Sequence, residues 1–429
     1  MYKKSLLSVA ITSAVLACQS SALAAGFYLN EHSANGLGRA FAGQAAKPEN
    51  ASVLVANPAA ITEFDQAQVS VFASYINSNL DIKGQTNVSA GPASFDFDAS
   101  ENDVIDSAVV PSAFYARPLN DKWSVGLSVF SNFGLATEFS EGYNALHFAD
   151  KADITTIVFN PSLAYKVNDD LSLGFGISAN YVEAELRTSV PANLAALSAN
   201  TPNPVPANAT LAAMEGDDVA LGWNVGLYWH ATDSTNIGVS YRAKTKFTVE
   251  GDISSALRAN LNQSGSLDLD LPAIAEFAVD QALSQALSLQ FSATWYEWSS
   301  FDELNIDLDD GNQLLLREEN FENVWRVGLG TTYQLNDQWT VRGGYAYDEG
   351  AALTEFRSIS IPDVDRQWFS LGATYQINKT FNVDLGYAYV RGKEGRVQEE
   401  LALGAISSTF NGVQTSSANI YSVQLNAAF

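Results

Sequence analysis

The side chains that most often carry catalysis or bind metal ions are few and scattered in this 429-residue chain. His32, His147 and His230 have no metal-ligand spacing such as H-x-x-x-H, and Cys18 is the only cysteine. We therefore expect no metal site and no cofactor. A Ser-His-acid hydrolase stays possible because triad members can be distant in sequence, but no G-x-S-x-G motif supports one. The sequence favours a protein that is not an enzyme.

One acidic turn has a partial likeness to a calcium site. Asp307, Asp309 and Asp310 precede Gly311 and Asn312. The turn lacks the full D-x-D-x-D-G spacing and the downstream glutamate of a calcium loop. We therefore expect a solvated loop tip, with calcium binding as the alternative.

The chain begins with the three parts of a secretory signal peptide. Two lysines precede an apolar stretch at residues 6–17 and the small-residue site Ala22-Leu23-Ala24. We assign residues 1–24 to the signal peptide, so the mature chain would begin at Ala25 and contain no cysteine. Cleavage before a lipidated Cys18 is the alternative, because the residues that precede it resemble a lipobox.

The rest of the chain is acidic and alternates between large and small or polar residues. The formal net charge of -25 argues against nucleic-acid binding. Beyond the signal peptide, no run reaches the ~18 apolar residues of a membrane helix. Instead, residues 381–389 alternate strictly, and Trp123, Trp339 and Phe381 each follow a polar turn, where an interfacial aromatic belt would lie. These features favour a transmembrane β-barrel over a soluble β-protein.

The turns predict the number of strands. Six short polar turns on one side, with both termini on that side, imply fourteen strands, and bacterial single-chain barrels have an even number. The first strand would begin near Gln68, and residues 67–429 would form an all-β, fourteen-stranded antiparallel transmembrane barrel. The last strand alternates and stops on Phe429, a pattern typical of the signal for the barrel assembly machinery. The predicted turns lie at residues 120–122, 168–170, 232–234, 280–285, 336–338 and 378–379.

Three segments do not follow the strand pattern. Residues 25–66 are rich in Gly, Ala, Asn and Ser and have no sustained periodicity, which predicts a hatch, or plug, inside the barrel. Residues 190–218 and 251–266 are long aliphatic outer connections, and the second has a four-residue spacing that predicts a short amphipathic helix. These connections either cap the barrel mouth or form a groove that collects a lipid-like ligand.

Several motifs resemble the FadL family of outer-membrane long-chain fatty acid transporters. The opening Gly26-Phe27-x-Leu29-Asn30-Glu31, the triplet Asn57-Pro58-Ala59, and residues 131–139, 325–333 and 357–366 carry this resemblance. The resemblance implies that Asn57, Pro58 and Ala59 take part in gating by the hatch. It also implies that Asn132, Phe133 and Gly134 form a kink that opens a gap in the third strand.

The resemblance further implies basic side chains that bind the ligand's carboxylate. Arg317 stands where the family has a lysine, and an arginine binds a carboxylate in a bidentate fork. Arg187 is the second candidate, although the frame puts Thr188 at the expected place and a shift of one residue reverses the face of a strand. Acidic residues flank both arginines, so ion pairs in the wall are the alternative for each.

The resemblance implies an outer-membrane protein that takes up long-chain fatty acids by passive diffusion and releases them laterally into the membrane lipids. Its partners would then be a hydrophobic ligand, outer-membrane lipids and, through Phe429, the assembly machinery, with no nucleic acid. The family suggests a monomer. A channel for other hydrophobic compounds such as aromatic hydrocarbons is the first alternative, and an outer-membrane lipid hydrolase is the second.

Overall fold

The computed structural model describes residues 26–199, 201–403 and 406–429, so the predicted signal peptide lies outside the described residues. Its 21 hydrogen-bonded segments form fourteen strands, seven of which are interrupted once. The strands are β1 (Gln68–Ala90), β2 (Ala93–Asp98 and Ala108–Pro118), β3 (Trp123–Phe130 and Gly134–Glu138), β4 (Lys151–Lys166), β5 (Leu171–Ser189), β6 (Thr210–Thr232), β7 (Thr235–Arg242 and Thr245–Ser254), β8 (Gln263–Leu271 and Ile274–Ala282), β9 (Leu287–Tyr296 and Glu303–Leu308), β10 (Gln313–Glu318 and Val324–Gln334), β11 (Trp339–Asp348), β12 (Arg366–Gln376), β13 (Phe381–Gly392 and Gly395–Leu403) and β14 (Ile406–Ala428).

The strands close into a barrel in which all neighbours are antiparallel. Gln68, the first residue of β1, lies opposite Ala116 of β2 and Ala428 of β14, so the first and last strands complete the ring. Around the end of the barrel that holds Gln68 and Ala428, closure leaves no free sheet edge among the described residues, which is the condition for a β-structure in lipid. The expected fourteen-stranded antiparallel barrel is therefore confirmed, as is the start of β1.

The short connections at one end of the barrel are built on a repeated asparagine turn. In four of them the Asn Oδ1 accepts hydrogen bonds of 2.8–3.0 Å from the backbone N–H groups two and three residues later, which stabilises a tight turn. These residues are Asn120, Asn168, Asn336 and Asn378. The turn expected at residues 280–285 lies at 283–286, because β8 continues to pair with β9 as far as Ala282.

Large side chains on alternate positions point away from the lumen. In β13, Leu385 is 52% exposed, whereas neighbouring Asp384 is 2% exposed and faces inward. The expected belt residues Trp123 and Trp339 are exposed beside the short turns and pack against tyrosines of neighbouring strands. This arrangement puts apolar side chains toward lipid and polar ones toward the lumen.

The outer half of the barrel, away from the short turns, divides into two sheets. β11 ends at Asp348 and β12 begins only at Arg366, so neither strand reaches the outer half. The outer segments of β3 to β10 pair in one sheet, and those of β13, β14, β1 and β2 pair in the other. Buried apolar side chains fill the space between them, including Leu80, Phe247 and Phe410.

The outer connections differ from the expectation. Residues 251–266 form the ends of β7 and β8 with only a 3-10 turn at Ala259–Leu261, so the amphipathic helix was wrong. Ile253 pairs with Met214 of β6 and Gln263 of β8, and this cross-strand pairing outweighs the four-residue aliphatic spacing.

Residues 190–218 contain the short helix α2 (Ala192–Ser198) before β6 begins. Val190 and Leu194 are buried against Val88 near the outer end of β1, which favours a cap over an open groove. The remaining helices are α1 (Ala34–Leu37) and the 3-10 turns Gln44–Ala46, Ala51–Val55, Pro58–Glu63 and Trp298–Ser300. Among the described residues, no helix is long and apolar enough to span a membrane.

Candidate ligand pathway

Residues 26–66, which we call the lumenal segment, lie inside the barrel. Helix α1 contacts β12, β13 and β14, whereas the turn Pro58–Glu63 contacts β4, β5 and β6 on the opposite wall. Leu29, Leu37 and Leu54 are fully buried. The segment therefore crosses the lumen from wall to wall.

Buried ion pairs fix the middle of the lumenal segment. Glu49 pairs with Arg39 of the same segment and, at 2.9 Å, with Arg342 of β11. Burial alone would raise the pKa of Glu49, but Arg342 and Arg39 hold this pKa well below its usual range. Lys47 donates to both carboxylate oxygens of Asp280 in β8 at 3.1 Å. The carboxylate of Glu49 thus stays charged and ties the segment to the wall.

The segment expected to gate the barrel, Asn57-Pro58-Ala59, is held by hydrogen bonds of the Asn57 side chain. The Asn57 side chain donates to the carbonyls of Ala45 and Leu227 at 2.9 Å, and its Oδ1 accepts from the backbone N–H of Ala59 at 3.0 Å. A Cβ at Gly226 of β6 would overlap this Oδ1, so only glycine allows the approach. Asn57 and Ala59 are fully buried.

Strand β3 is interrupted at residues 131–133, where Asn132, Phe133 and Gly134 were expected to form a kink. β2 pairs with β3 only as far as Ala113 opposite Val129, so the outer part of β2 has no partner on that side. The start of the lumenal segment lies against the interruption. Leu29 N–H donates to the Asn132 carbonyl, and Gly134 N–H donates to the Phe27 carbonyl, both at 2.9 Å. The segment thus covers the gap from inside.

An aromatic cluster surrounds Phe27 at this point. Phe27 makes edge contacts with Phe133, Trp298 and Phe301, with ring centroids 6.0, 4.7 and 5.3 Å apart. Phe301 in turn packs edge-on against Phe321 at 5.1 Å. Trp298 and Phe321 lie where β9 and β10 are both interrupted, at residues 297–302 and 319–323. The sequence analysis missed this cluster, although both places break the alternation.

Arg317 lies just beyond this cluster, in the outer half. Its Nη1 pairs with Glu399 of β13, and its Nη2 donates to the Phe148 carbonyl at 2.6 Å. The pair joins the two outer sheets where β11 and β12 are missing between β10 and β13. This pair corresponds to the ion-pair alternative for Arg317, but the carboxylate belongs to Glu399, 82 residues away, and not to a flanking acidic residue.

Glu319 is fully buried beside this pair. Its Oε1 lies 3.7 Å from Arg317 Nε, and neither carboxylate oxygen has a hydrogen-bond partner among the described residues. Burial raises the pKa of Glu319 to about 8, and Glu399 adds to the increase while Arg317 opposes it. Glu319 is therefore mostly neutral at pH 7, which leaves Arg317 with one charged partner.

The Arg187 side chain lies on the outward face of β5. In β5 the inward residues Ala184 and Leu186 are buried, and Arg187 follows the outward parity of Glu183 and Glu185. The bulge in β5 lies between Thr188 and Ser189, beyond Arg187, and does not turn it inward. Arg187 pairs with Asp150 at 2.8 Å. Among the described residues, Arg187 and Arg317 share no ion-pair partner that would bring them into one site.

The histidines are not brought together. His32 is in the lumenal segment, His230 bonds Glu63 at 2.9 Å, and His147 bonds Ser408 at 2.7 Å. Within the described residues no group of three or more His, Cys, Asp or Glu side chains could hold a metal ion. The acidic turn at Gly311 is exposed, and its hydrogen bonds are local, such as Asn312 N–H to Asp310, or made to β8, such as Asp310 N–H to Gln263 Oε1 at 3.1 Å.

Comparisons with known proteins identify relatives of this chain. The family described as outer membrane protein transport protein (OMPP1/FadL/TodX) matches residues 14–429. A long-chain fatty acid transport protein from Escherichia coli O6:H1 is 34% identical over 402 residues, 86% of each chain. Outer membrane protein P1 from Haemophilus influenzae is 33% identical over 452 residues, 98% of each chain.

Solved structures share the fold. A FadL homologue from Pseudomonas aeruginosa has a TM-score of 0.84 at 26% identity and covers 94% of this chain and 100% of its own. The toluene transporter TbuX from Ralstonia pickettii has a TM-score of 0.61 at 18% identity, with 92% and 97% covered.

Proposed function

The chain belongs to the outer membrane protein transport protein family (OMPP1/FadL/TodX), and we propose that it takes up long-chain fatty acids by passive diffusion. The ligand would enter between the two outer sheets, pass the aromatic cluster and leave sideways through the gap between β2 and β3. Lateral exit suits such a solute, because each methylene that stays out of water is worth about 0.8 kcal/mol. No energy source is needed.

One observation carries this proposal. The wall is interrupted at residues 131–133, and what closes the interruption is the end of the lumenal segment, held there by two backbone hydrogen bonds and edge contacts of Phe27. A short peptide end is easily displaced compared with a strand in a ladder. We propose that withdrawal of residues 26–29 opens the exit.

The head-group role of Arg317 stays a prediction. The Phe148 carbonyl and Glu399 already bond its guanidinium, so a fatty acid carboxylate would have to replace Glu399. Arg187 is the weaker candidate because of its outward parity. The roles of Phe429 in assembly and of a monomer as the working unit also stay predictions. Phe429 pairs its backbone with Ala67 and leaves its ring 67% exposed.

Arg317 already bonds Glu399 and the Phe148 carbonyl, and this favours a second candidate function, a channel for neutral hydrophobic compounds. Such a ligand would need no arginine and could pass the same aromatic cluster. Competition between oleate and an aromatic hydrocarbon such as toluene, with Arg317→Gln beside the native chain, separates the two. Weaker oleate binding in the variant supports the fatty acid, and equal binding supports the hydrocarbon.

A lipid hydrolase has less support. His147 Nε2 lies 2.7 Å from Ser408 Oγ, but no hydrogen-bond partner orients its Nδ1 among the described residues. Burial lowers the pKa of His147 to about 3, so it would be a weak base. We expect no release of fatty acid from phospholipid by the purified protein.

A reversible disulfide tests the exit. Tyr28 and Phe133 form an isolated antiparallel bridge, and such residues have Cα atoms about 4.5–5.5 Å apart, within the range of a disulfide. The double variant Tyr28→Cys/Phe133→Cys starts from a mature chain without cysteine if cleavage occurs at Ala24. We expect oxidation to abolish uptake of labelled oleate and reduction to restore it.

The matched control is Tyr75→Cys/Tyr421→Cys, which joins β1 and β14 at a paired position of the intact wall. Oxidation of this pair should leave uptake unchanged. Uptake that continues through the oxidised Tyr28/Phe133 pair would rule out exit past residues 26–29.

A further inference from the structure

A polar cavity lies deeper in the barrel than Arg317, between the lumenal segment and the inner faces of β6 to β10. Tyr28, Asn30 and His32 line it from the lumenal segment, and Arg242 and Arg326 line it from the wall. It is separate from Arg317, which is not among its lining residues.

The two arginines of this cavity differ from the other buried arginines. Arg326 is 2% exposed and donates from Nη2 to the Ala40 carbonyl at 2.8 Å, while its Nε has no hydrogen-bond partner. Arg242 donates to the Val55 carbonyl at 3.1 Å. Neither forms an ion pair with a carboxylate in the described part of the chain. Such pairs are formed by the buried Arg39, Arg342 and Arg366 and by the partly buried Arg317.

Aromatic rings take the place of counter-ions beside these two side chains. The Arg242 guanidinium carbon lies 5.3 Å from the Phe130 ring centroid, and that of Arg326 lies 5.4 Å from Trp368. Such contacts stabilise a buried guanidinium less than a carboxylate partner in direct contact would. Both guanidinium groups are therefore left without an ion-pair partner among the described residues.

Further polar atoms around the cavity also lack partners. Asn30 is 7% exposed and accepts from the Tyr296 hydroxyl at 3.3 Å through Oδ1, but its Nδ2 has no partner among the described residues. His32 is 6% exposed, and its Nδ1 also has no partner among these residues. Buried polar groups are normally hydrogen-bonded, so several without a partner around one cavity point to a bound molecule.

Three carboxylates lie near the cavity, and one of them, the fully buried Asp348 of β11, is opposite Arg326 in the strand register. Glu276 lines the cavity and accepts from Ser292 Oγ at 2.8 Å and from Ala45 N–H at 3.4 Å. Glu31 lies within electrostatic reach of Arg326, and burial raises the pKa of Glu31 to about 7. It is thus only partly charged at neutral pH.

We infer that this cavity binds the carboxylate of a fatty acid at Arg242 and Arg326, as a second head-group site. The inference rests on the proposed function, since it concerns the same ligand. Tyr28 lines the cavity and packs on Phe133 at 5.3 Å, so a head group held here has its tail beside the gap in β3. The site would hold the ligand immediately before lateral exit.

The test counts binding sites with purified protein in detergent. We expect [1-13C]oleate to give two bound carboxyl resonances with the native chain, and oleyl alcohol to compete poorly for one of them. The double variant Arg242→Gln/Arg326→Gln should lose that resonance and bind the corresponding oleate at least 10-fold more weakly. Arg317→Gln should keep it.

A conservative variant guards against misfolding. Arg242→Lys/Arg326→Lys keeps both charges and should keep the second resonance, and heat-modified gel mobility reports whether each barrel is folded. A single resonance with the native chain, or two resonances that survive Arg242→Gln/Arg326→Gln, would overturn the inference. No oleate binding at all would instead overturn the proposed function, and water would then be the occupant of the cavity.

Discussion

The lumenal segment is held by different kinds of contact in the inner and the outer half of the barrel. In the inner half, ion pairs of Glu49 and hydrogen bonds of Asn57 attach the lumenal segment to the wall, and glycines such as Gly226 allow close backbone approach. In the outer half, apolar side chains fill the space between two sheets, and Phe27 holds the end of the segment through ring edges. The inner half of the segment is attached by ion pairs and side-chain hydrogen bonds, whereas the outer half of the barrel is held mainly by apolar packing, with the Arg317–Glu399 pair joining its two sheets.

This difference indicates where the segment moves. Displacing residues 44–63 would break several buried polar contacts at once. Displacing residues 26–29 breaks two backbone hydrogen bonds and a 3.5 Å hydrogen bond from Arg366 to the Gly26 carbonyl, and replaces apolar contacts with those of an apolar ligand. Gating at Asn57, Pro58 and Ala59, which the family resemblance implied, stays a prediction. We propose that these residues serve as the fixed point and that the outer end opens.

The largest expected effect comes from Glu49→Gln. This change leaves Arg39 and Arg342 buried without a carboxylate partner, and breaking such a pair costs about 3–5 kcal/mol. We expect a lower midpoint of heat-modified gel mobility and new conductance in planar bilayers. Lys393→Ala is the control, because its pair with Asp365 is largely exposed and should contribute about 0–1 kcal/mol. Equal effects of the two variants would remove the contrast between the halves.

Gly226→Ala should have the next largest effect. A Cβ at this position overlaps Asn57 Oδ1, so the side chain must leave its hydrogen bonds, at a cost of about 1–3 kcal/mol. Limited proteolysis should then cut residues 44–63. Gly343→Ala is a matched control in β11, where the nearest atom to a new Cβ is 3.8 Å away. Resistance of Gly226→Ala equal to that of the control would show that the inner half adapts.

A smaller effect on stability, with a gain in transport, is expected for Phe27→Leu. Leucine keeps much of the volume but loses the ring-edge contacts with Trp298 and Phe133, each worth about 0.5–1.5 kcal/mol. The closed end becomes less stable relative to the open one. We expect initial uptake of labelled oleate to rise severalfold while the gel-mobility midpoint falls only slightly. Slower uptake would mean that Phe27 guides the ligand instead of closing the gap.

The smallest effect, counted per pH unit, concerns the outer half. The pKa of Glu319 is raised from 4.5 to about 8, so between these values the folded state keeps a proton that the unfolded state releases. Stability therefore falls as pH rises from 5 to 8, by at most about 1.4 kcal/mol per pH unit. Glu319→Gln should remove this slope from thermal unfolding curves. An identical slope in the variant would mean that Glu319 is charged in the folded protein.

The sequence was enough to predict the barrel, because its signals are local. Asparagine turns recur before belt aromatics such as Trp123 and Trp339, and alternation between them defines the strands. The kink at Asn132 to Gly134 was implied by the resemblance to the FadL family, and Gly134 is a residue that permits it.

The site could not be predicted to the same extent, because its partners are distant in sequence. Arg317 pairs with Glu399 only because β11 and β12 stop short, and no local pattern encodes the lengths of neighbouring strands. Residues 251–266 have a helical spacing, but pairing with β6 decides their conformation. The aromatic cluster of Trp298 and Phe321 depends on two strands being interrupted at the same level.

The most direct test of the account is amide hydrogen exchange with and without saturating oleate. The account predicts faster exchange at residues 26–33, where Leu29 N–H bonds the Asn132 carbonyl, and unchanged exchange at residues 44–63. Faster exchange at residues 44–63, or no change at either end, would contradict the claim that the segment is fixed in the inner half and opens in the outer half.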